Sequence, residues 1–232
     1  MYSFIDYITE LKLTLKYHDN LNPDIWYEDK LEEKDLKFLL ENAYKFADFS
    51  GVDKKHISDI VFTGSSANFN YTKFSDADIH IMVNHTDTKS DKLYDKKVEW
   101  ATKHKDLKLG KYPVEYYIQD DHEHFPDGQG VYSLLKNEWL VRPKHLSNVK
   151  DLFKDPKTVA KAEYNIKYAK NLLSKGSKED ILAYKDKLYK LRTSGLKKKG
   201  EFSVENIVYK DLRNRGLVDK LNKRLEQLKN KG

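Results

Sequence analysis

Two short apolar runs separated by a polar turn are the feature that most constrains this chain. Residues 57–63 read Ile-Ser-Asp-Ile-Val-Phe-Thr, and residues 77–83 read Ala-Asp-Ile-His-Ile-Met-Val. The first run is rich in β-branched residues and the second alternates apolar and polar positions, which is typical of strands. Gly64-Ser65-Ser66 follows the first run directly. The sequence therefore predicts strand, turn and strand over residues 57–83.

Asp76 and Asp78 lie at the start of the second predicted strand. Side chains two residues apart on a strand leave on the same face, so these carboxylates can share a pair of hard cations. Two such ions about 3.5 to 4 Å apart can activate an attacking hydroxyl and neutralise a leaving pyrophosphate. Taken alone, an Asp-x-Asp pair at a strand edge is more often a solvated or turn pair.

The turn at Gly64-Ser65-Ser66 suits a phosphate group. It follows an apolar strand and is predicted to open a helix, so backbone N–H groups and hydroxyls converge where triphosphate oxygens would bind. Glycine is expected here because a Cβ would crowd the phosphate. Such a turn is ordinary by itself, and the inference depends on its coincidence with the two aspartates.

Together the two features resemble the signature of the DNA polymerase β superfamily of nucleotidyltransferases: an apolar residue, Gly-Ser, then Asp-x-Asp about a dozen residues on. The matching residues are Gly64, Ser65, Asn68, Ser75, Asp76 and Asp78. The phase of Asn and Ser-Asp-x-Asp is similar to that of the template-independent branch, which includes poly(A) polymerases, CCA-adding enzymes, cyclic dinucleotide synthases and antibiotic nucleotidyltransferases. The layout also looks like small nucleotidyltransferase-like proteins of tailed bacteriophages.

The resemblance implies a nucleoside triphosphate substrate, with ATP as the leading candidate, and two Mg²⁺ ions bound by Asp76 and Asp78, with Mn²⁺ as a substitute. It implies a nucleotide-binding loop made of Gly64, Ser65, Ser66, Asn68 and Ser75. The first three residues of this loop would hold the β and γ phosphates, and Asn68 would orient the loop or the sugar.

A third carboxylate from a neighbouring strand is also implied, because two aspartates leave the catalytic ion under-coordinated. Glu115 is the candidate, in the strand-like run at residues 112–118. The family more often has Asp at this place. The alternative is a solvent-facing strand Glu, since strands commonly alternate apolar and polar positions.

The rest of the chain is predicted to be mainly helical. Apolar spacing predicts helices at residues 2–17 and 31–49, and a charged helix at residues 89–105. A polar loop should follow the third strand, at residues 119–130. From residue 131 on, helices are expected almost throughout, with breaks near Pro143, Pro156, Gly176, Gly195 and Gly200.

These elements predict an α/β (α+β) chain with the nucleotidyltransferase fold, in which a short mixed sheet is flanked by helices. The catalytic domain, with its N-terminal helices, is expected over residues 1–145, and a basic helical region over residues 146–232. No Cys is present, so any metal must be held by oxygen or imidazole ligands. No apolar run is long enough for a membrane span and the start lacks a secretion signal, so we expect a cytoplasmic protein.

Charge is divided unevenly along the chain. Residues 151–232 carry 22 Lys and Arg against 11 Asp and Glu, a net charge of +11, while the remainder carries 21 against 26, a net charge of −5. A basic back portion would attract a polyanion such as RNA. The alternative is that Lys merely keeps exposed helix surfaces soluble.

Several other residues have two interpretations. His80 follows Asp78 on the same strand face, where it could contact the nucleotide or a metal ligand, or simply pack. Residues 120–124, Asp-Asp-His-Glu-His, look like a metal cluster, but consecutive loop residues are not expected to face one ion together. Residues 197–199, three lysines beside two glycines, suggest an exposed turn that could meet a phosphate backbone. Lys167 and Lys170 are candidates for a triphosphate-binding lysine.

The predicted reaction is attack of an acceptor hydroxyl on the α-phosphate of the nucleoside triphosphate, with release of pyrophosphate. Three hypotheses remain for the acceptor side. The first is the 3′ end of an RNA, such as a tRNA. The second is a small molecule, a second nucleotide or a protein hydroxyl. The third is a non-catalytic nucleic-acid-binding protein that kept the fold, against which the complete carboxylate set argues. The sequence does not indicate the oligomeric state.

Overall fold

The computed structural model describes residues 12–86, 90–126 and 128–229. They form two compact units. One unit is Tyr17–Leu146, and the other is the part of the chain from Ser147 onward together with the segment that precedes Tyr17, of which residues 12–16 are described. Within the described ranges, no helix has both the length and the apolar character needed to cross a membrane.

The first unit is built on a six-stranded sheet. Its strands are β1 (Ile57–Thr63), β2 (Ala77–Val83), β3 (Lys108–Leu109), β4 (Tyr112–Asp120), β5 (Val131–Ser133) and β6 (Glu138–Val141), in the order β3-β4-β2-β1-β5-β6. The β2–β4 pair is parallel and the other pairs are antiparallel. Helices α1 (Glu33–Phe49) and α2 (Ser90–Lys103) accompany the sheet. The predicted α+β class, with a short mixed sheet flanked by helices, is confirmed.

Helix α1 packs on one face of this sheet through the apolar stripe that its sequence predicts. Leu39, Ala43 and Phe46 are fully buried, as residues three and four apart on one side of a helix should be. The Tyr116 hydroxyl of β4 donates a hydrogen bond to the Leu39 carbonyl oxygen at 3.2 Å. Ile79 of β2 pairs with Tyr116 and is also fully buried. These strand positions therefore face the core.

The opposite face of the sheet carries polar residues of the same strands. Asp78 of β2 pairs with Glu115 of β4, and His80 pairs with Tyr117. Side chains alternate between the two faces along each strand, so all four residues extend away from the core side. The pairs Asp78–Glu115 and His80–Tyr117 consequently lie next to each other on the face opposite α1.

The second unit is helical. Its helices are α3 (Val149–Leu152), α4 (Pro156–Lys175), α5 (Lys178–Lys199), α6 (Val204–Asn214) and α7 (Leu217–Lys229). Helix α5 begins with a capping box, in which Ser177 and Asp180 satisfy each other's backbone N–H groups. The core of this unit includes Ala162, Ile166, Leu172, Ile181, Leu212 and Leu221.

Residues 131–141 form a β-hairpin, β5 and β6, where the sequence predicted helix. Asn137 in its turn has a φ of 55°, a left-handed conformation that Asn adopts more readily than most residues. The Tyr132 hydroxyl donates to Asn137 Oδ1 at 2.7 Å. Tyr132 is fully buried and pairs with Phe62 of β1. The prediction was wrong because strand pairing with β1 outweighs the local pattern.

Other predicted elements have mixed outcomes. The helices at residues 31–49 and 89–105 and the strand at residues 112–118 are confirmed as α1, α2 and β4. Of the helix predicted at residues 2–17, residues 12–17 are not helical, and the rest lies outside the described residues. Gly195 does not end a helix but lies inside α5. A Cβ at Gly195 would come 2.7 Å from Ser203 Oγ, so close packing requires glycine there.

Asp211 is a buried charge whose removal should destabilise the helical unit. It is fully buried and accepts hydrogen bonds from the Thr14 backbone N–H at 2.6 Å, the Thr14 hydroxyl at 2.8 Å and Arg215 Nε at 2.7 Å. Asp211→Ala leaves these donors without their acceptor and should lower the unfolding free energy by about 3 kcal/mol. Urea unfolding followed by circular dichroism measures this. Asp186→Ala, which removes a half-exposed partner of Lys190, should change little; equal losses would contradict the prediction.

Candidate active site

Three carboxylates predicted from the sequence lie on the polar face of the sheet. Asp78 and Glu115 are register partners on the parallel strands β2 and β4, whose backbones run about 4.8 Å apart. Asp76 precedes Asp78 by two residues, and Ala77 between them is fully buried in the core. Asp76 and Asp78 are both partly exposed. The alternation therefore brings all three side chains to one face, as the strand pattern indicated.

Gly64, at the end of β1, lies against the Asp78 carboxylate. Its φ is +75°, and a Cβ built on it would come 2.0 Å from Asp78 Oδ2 and 2.9 Å from Asp78 Cγ. Sequence reasoning attributed this glycine to the approach of a phosphate. The structure shows a different reason for glycine at this position. Any side chain at Gly64 would occupy the space of the Asp78 carboxylate.

The rest of the Gly-Ser turn is held by its own hydroxyl groups. Ser65–Ala67 is a single 3₁₀ turn, not the start of the longer helix that the sequence predicted. The hydroxyls of Ser65 and Ser75 are hydrogen-bonded at 2.9 Å, and the Ser66 hydroxyl donates to the Asp76 carbonyl oxygen at 2.7 Å. Ser66 is fully buried. Its side chain thus anchors the turn to the strand that carries the aspartates, which is a different role from the phosphate contact predicted for it.

Asn68 connects this turn to the chain further on. Its side-chain Nδ2 donates to the Gly64 carbonyl oxygen at 2.8 Å, and its Oδ1 accepts from the Gly130 backbone N–H at 3.1 Å. Of the two roles considered for Asn68, orientation of the loop is the one that these contacts support.

Lys97 of α2 reaches the same face and was missed by the sequence analysis. Its Nζ lies 2.8 Å from Glu115 Oε2 and 3.7 Å from the centroid of the Tyr117 ring. The Tyr117 hydroxyl donates to the same Glu115 oxygen at 2.5 Å. Glu115 is therefore engaged by a cation and by a hydroxyl at once. No sequence motif marks Lys97, because α2 also contains Lys92, Lys96 and Lys103.

The pKa of the Tyr117 hydroxyl is influenced by all three carboxylates. Burial raises the pKa of the Tyr117 hydroxyl well above its usual value, and the charges of Asp78, Glu115 and Asp76 raise it further. This hydroxyl consequently remains protonated and remains a hydrogen-bond donor. A group influenced by all three carboxylates lies in the negative potential that a divalent cation would neutralise.

His80 lies beside Tyr117 on the same polar face. Its ring stacks on the Tyr117 ring with centroids 4.6 Å apart, and its Nδ1 is hydrogen-bonded to Gln119 Oε1. Burial lowers the pKa of His80 below its usual value, the Gln119 hydrogen bond opposes this, and the charge of Lys97 lowers it again. His80 therefore packs on the tyrosine that donates to Glu115.

A cavity of about 500 Å³ opens on the same sheet face, toward the far end of β2. Met82 contributes to its lining, four residues along the strand from Asp78, together with Val61 and Phe125. Val61 and Met82 form a small apolar cluster against which Phe125 packs. This face therefore carries carboxylates at one end of β2 and, at the other, a recess lined by both apolar and charged residues.

The donor set of the three carboxylates fits hard divalent cations, since it consists of oxygen ligands on one face. A second group of metal-type ligands lies at the far end of β4. Among the described residues, Asp120, Asp121 and His122 are the set of three whose ligand atoms all lie within 4.8 Å of one another. The sequence analysis did not expect consecutive residues here to face one ion, yet these three converge. Asp120 and His122 are exposed.

Comparisons with known proteins add little to this picture. No protein-family model matches the chain, and no curated protein matches it. The STING-associated CdnE c-di-GMP synthase from Capnocytophaga granulosa aligns with it at 12% identity, over 91% of this chain and 90% of that chain, with a TM-score of 0.20. A TM-score of this size carries no weight for fold or activity. The functional assignment therefore depends on the site itself.

Proposed function

We propose that this protein is a metal-dependent nucleotidyltransferase, which transfers a nucleoside monophosphate from a nucleoside triphosphate to an acceptor hydroxyl. The observation that carries the proposal is the juxtaposition of Asp78 with Glu115 on paired strands and with Gly64 at the end of the neighbouring strand. Asp76 adds a third carboxylate on that face. A turn that can bind phosphate groups beside a carboxylate cluster is what displacement of pyrophosphate from a nucleoside triphosphate by a hydroxyl requires.

Each residue then has a role in the proposed reaction. Asp76 and Asp78 would hold two Mg²⁺ ions, or Mn²⁺ in their place, and Glu115 would bind the catalytic one. When bound, these ions would supply activation of the acceptor hydroxyl and neutralisation of the leaving pyrophosphate. Gly64 and Ser65 would contact the β and γ phosphates of the substrate, which we propose to be ATP.

The proposed transfer forms a bond between the acceptor oxygen and the α-phosphorus and breaks the bond between that phosphorus and the β-phosphate oxygen. The proton of the acceptor hydroxyl would pass to Glu115, whose carboxylate faces the same side of the sheet as Asp78. The turn residues Ser66, Asn68 and Ser75 would maintain the shape of the loop through the hydrogen bonds described above. Pyrophosphate leaves as the second product.

An assay with labelled nucleotides tests the proposed function. The purified protein would be incubated with each α-labelled nucleoside triphosphate and Mg²⁺, with and without total cellular RNA, and pyrophosphate release would be measured. We expect release that requires Mg²⁺ and transfer of the label to an acceptor. Separation of RNA from free nucleotide products identifies the acceptor class. Absence of pyrophosphate release with all four nucleotides and every acceptor fraction would overturn the proposal.

For the acceptor we propose an RNA 3′ end, of tRNA type, on the basis of the net charge of +11 over residues 151–232. Lys197, Lys198 and Lys199 form the last turn of α5 and are exposed. A helix C-terminus also favours cations, so part of this clustering has a local explanation. The remaining lysines of the unit still give it an excess of positive charge that a phosphate backbone would complement.

RNA binding should therefore weaken steeply with salt. Each neutralised phosphate releases counterions, so the affinity should fall strongly between about 50 and 200 mM salt. Changing Lys197, Lys198 and Lys199 together to Ala should reduce the log–log slope by roughly 1 for each phosphate that these lysines neutralise in the wild type. Filter binding measures the slope. The control is a variant in which Lys37, Lys45 and Lys54 of the other unit are changed to Ala. Undetectable binding by the wild type at low salt would redirect the search to nucleotide, small-molecule or protein acceptors.

A further inference from the structure

Lys97 lies on a helix that packs against the core. Trp100, one turn further along α2, is buried with its ring 5.5 Å from that of Phe46 in the core. Lys97 precedes Trp100 by three residues on the same helix. The Lys97 side chain is 23% exposed, compared with 41% for its neighbour Lys96. Lys97 is therefore the more buried of these two neighbouring lysines and is the one that contacts Glu115.

The pairing occupies a carboxylate that the proposed metal site needs. Lys97 Nζ and the Tyr117 hydroxyl both contact Oε2 of Glu115, at 2.8 and 2.5 Å. Lys97 Nζ also lies over the Tyr117 ring, where the aromatic face favours a cation. A positive charge already neutralises Glu115, and a divalent ion approaching this carboxylate would meet electrostatic repulsion from the ammonium group.

We propose that Lys97 is a positioning residue that acts as an internal counterion for Glu115 and competes with divalent cations for it. This inference rests on the proposed function, because it takes Asp76, Asp78 and Glu115 as the metal ligands. The ammonium group holds Glu115 toward α2 and limits the repulsion among the three carboxylates. Binding of a divalent ion would bring a second positive charge to a carboxylate whose Oε2 already contacts this ammonium group.

The ammonium group consequently lowers the intrinsic metal affinity of the site. An anionic triphosphate would attract the same ammonium group as it brings further negative charge to the site, so nucleotide binding should favour metal binding. Such a site would reach full metal occupancy when the metal and the nucleotide bind together. Lys97 would then couple the two ligands without being a metal ligand itself.

Mn²⁺ binding to the nucleotide-free protein tests the proposal without an activity measurement. The fraction of unbound Mn²⁺ would be followed by electron paramagnetic resonance during titration of the full chain. Lys97→Gln removes the competing charge and should bind Mn²⁺ about tenfold more tightly than the wild type. Lys97→Arg keeps the charge and should stay close to the wild type. Lys96→Gln is the matched control, since Lys96 lies over the Phe49 ring and near Glu99.

The outcomes separate this inference from the proposed function. With Asp120→Asn present in every variant to remove the second group of metal-type ligands, Asp78→Asn should abolish Mn²⁺ binding in both the wild-type and the Lys97→Gln background if the metal site is correct. Binding that is abolished by Asp78→Asn but is unchanged or weakened by Lys97→Gln would overturn the role of Lys97 alone. Binding that is insensitive to Asp78→Asn, or absent from every variant, would overturn the metal site as well.

Discussion

Asp78→Asn should lower nucleotidyl transfer at least about a thousandfold while the protein stays folded. The substitution keeps the size and shape of the side chain, so its fit against Gly64 is preserved, but it removes a negative charge from the proposed metal site. A bound cation contributes several kcal/mol to stabilisation of the transition state, and loss of about 4 kcal/mol corresponds to a thousandfold in rate. Pyrophosphate release under saturating nucleotide and Mg²⁺ measures this loss.

Thermal unfolding provides the necessary check on the fold. Asp78 lies in the same negative region as Glu115 and Asp76, so removal of one charge should leave the melting temperature unchanged or raise it. Asp120→Asn is the control, because it makes the same chemical change in the other group of metal-type ligands. It should retain transfer. If Asp120→Asn abolished transfer and Asp78→Asn did not, the reacting centre would lie at the far end of β4.

The positions of the carboxylates were predictable because strand geometry is local. Alternation of apolar and polar residues places Asp76, Asp78 and His80 on one face, and the same rule applied to residues 112–118 places Glu115 opposite the core. Which strands become neighbours depends on contacts between parts of the chain that are distant in sequence. The resemblance to a known superfamily implied that Glu115 lies on a neighbouring strand, but the parallel pairing of β2 with β4, which makes Asp78 and Glu115 partners, was not predicted.

Contacts between residues distant in the chain were not predictable. Four lysines of α2 look alike in the sequence, and only the folded structure shows that Lys97 is the one on Glu115. The hydroxyl of Ser66 could serve a phosphate or the protein, and only the folded loop shows that it donates to the Asp76 carbonyl oxygen. The β5–β6 hairpin was missed for the same reason, since its partner β1 lies far upstream.

Gly64→Ala should reduce transfer by at least about a hundredfold and destabilise the protein. Two separate effects contribute. Gly64 has a φ of 75° and a ψ of −166°, a backbone region that is essentially restricted to glycine and costs other residues about 1 to 3 kcal/mol. In addition, the new Cβ would lie 2.0 Å from Asp78 Oδ2, so the carboxylate must move out of its place. Displacement of a metal-binding group by about 1 Å is enough to cost a hundredfold in rate.

Gly110 separates these two effects. Its φ is +58°, and a Cβ there would meet nothing within 4 Å, so Gly110→Ala carries the backbone cost without a clash. Both variants should lose stability from the backbone, measured by urea unfolding, but Gly64→Ala alone should lose transfer, measured by pyrophosphate release. Transfer by Gly64→Ala equal to that of Gly110→Ala would mean that the contact between Gly64 and Asp78 does not position the reacting carboxylate. A loss confined to Gly64→Ala would link the glycine of the turn directly to the placement of Asp78.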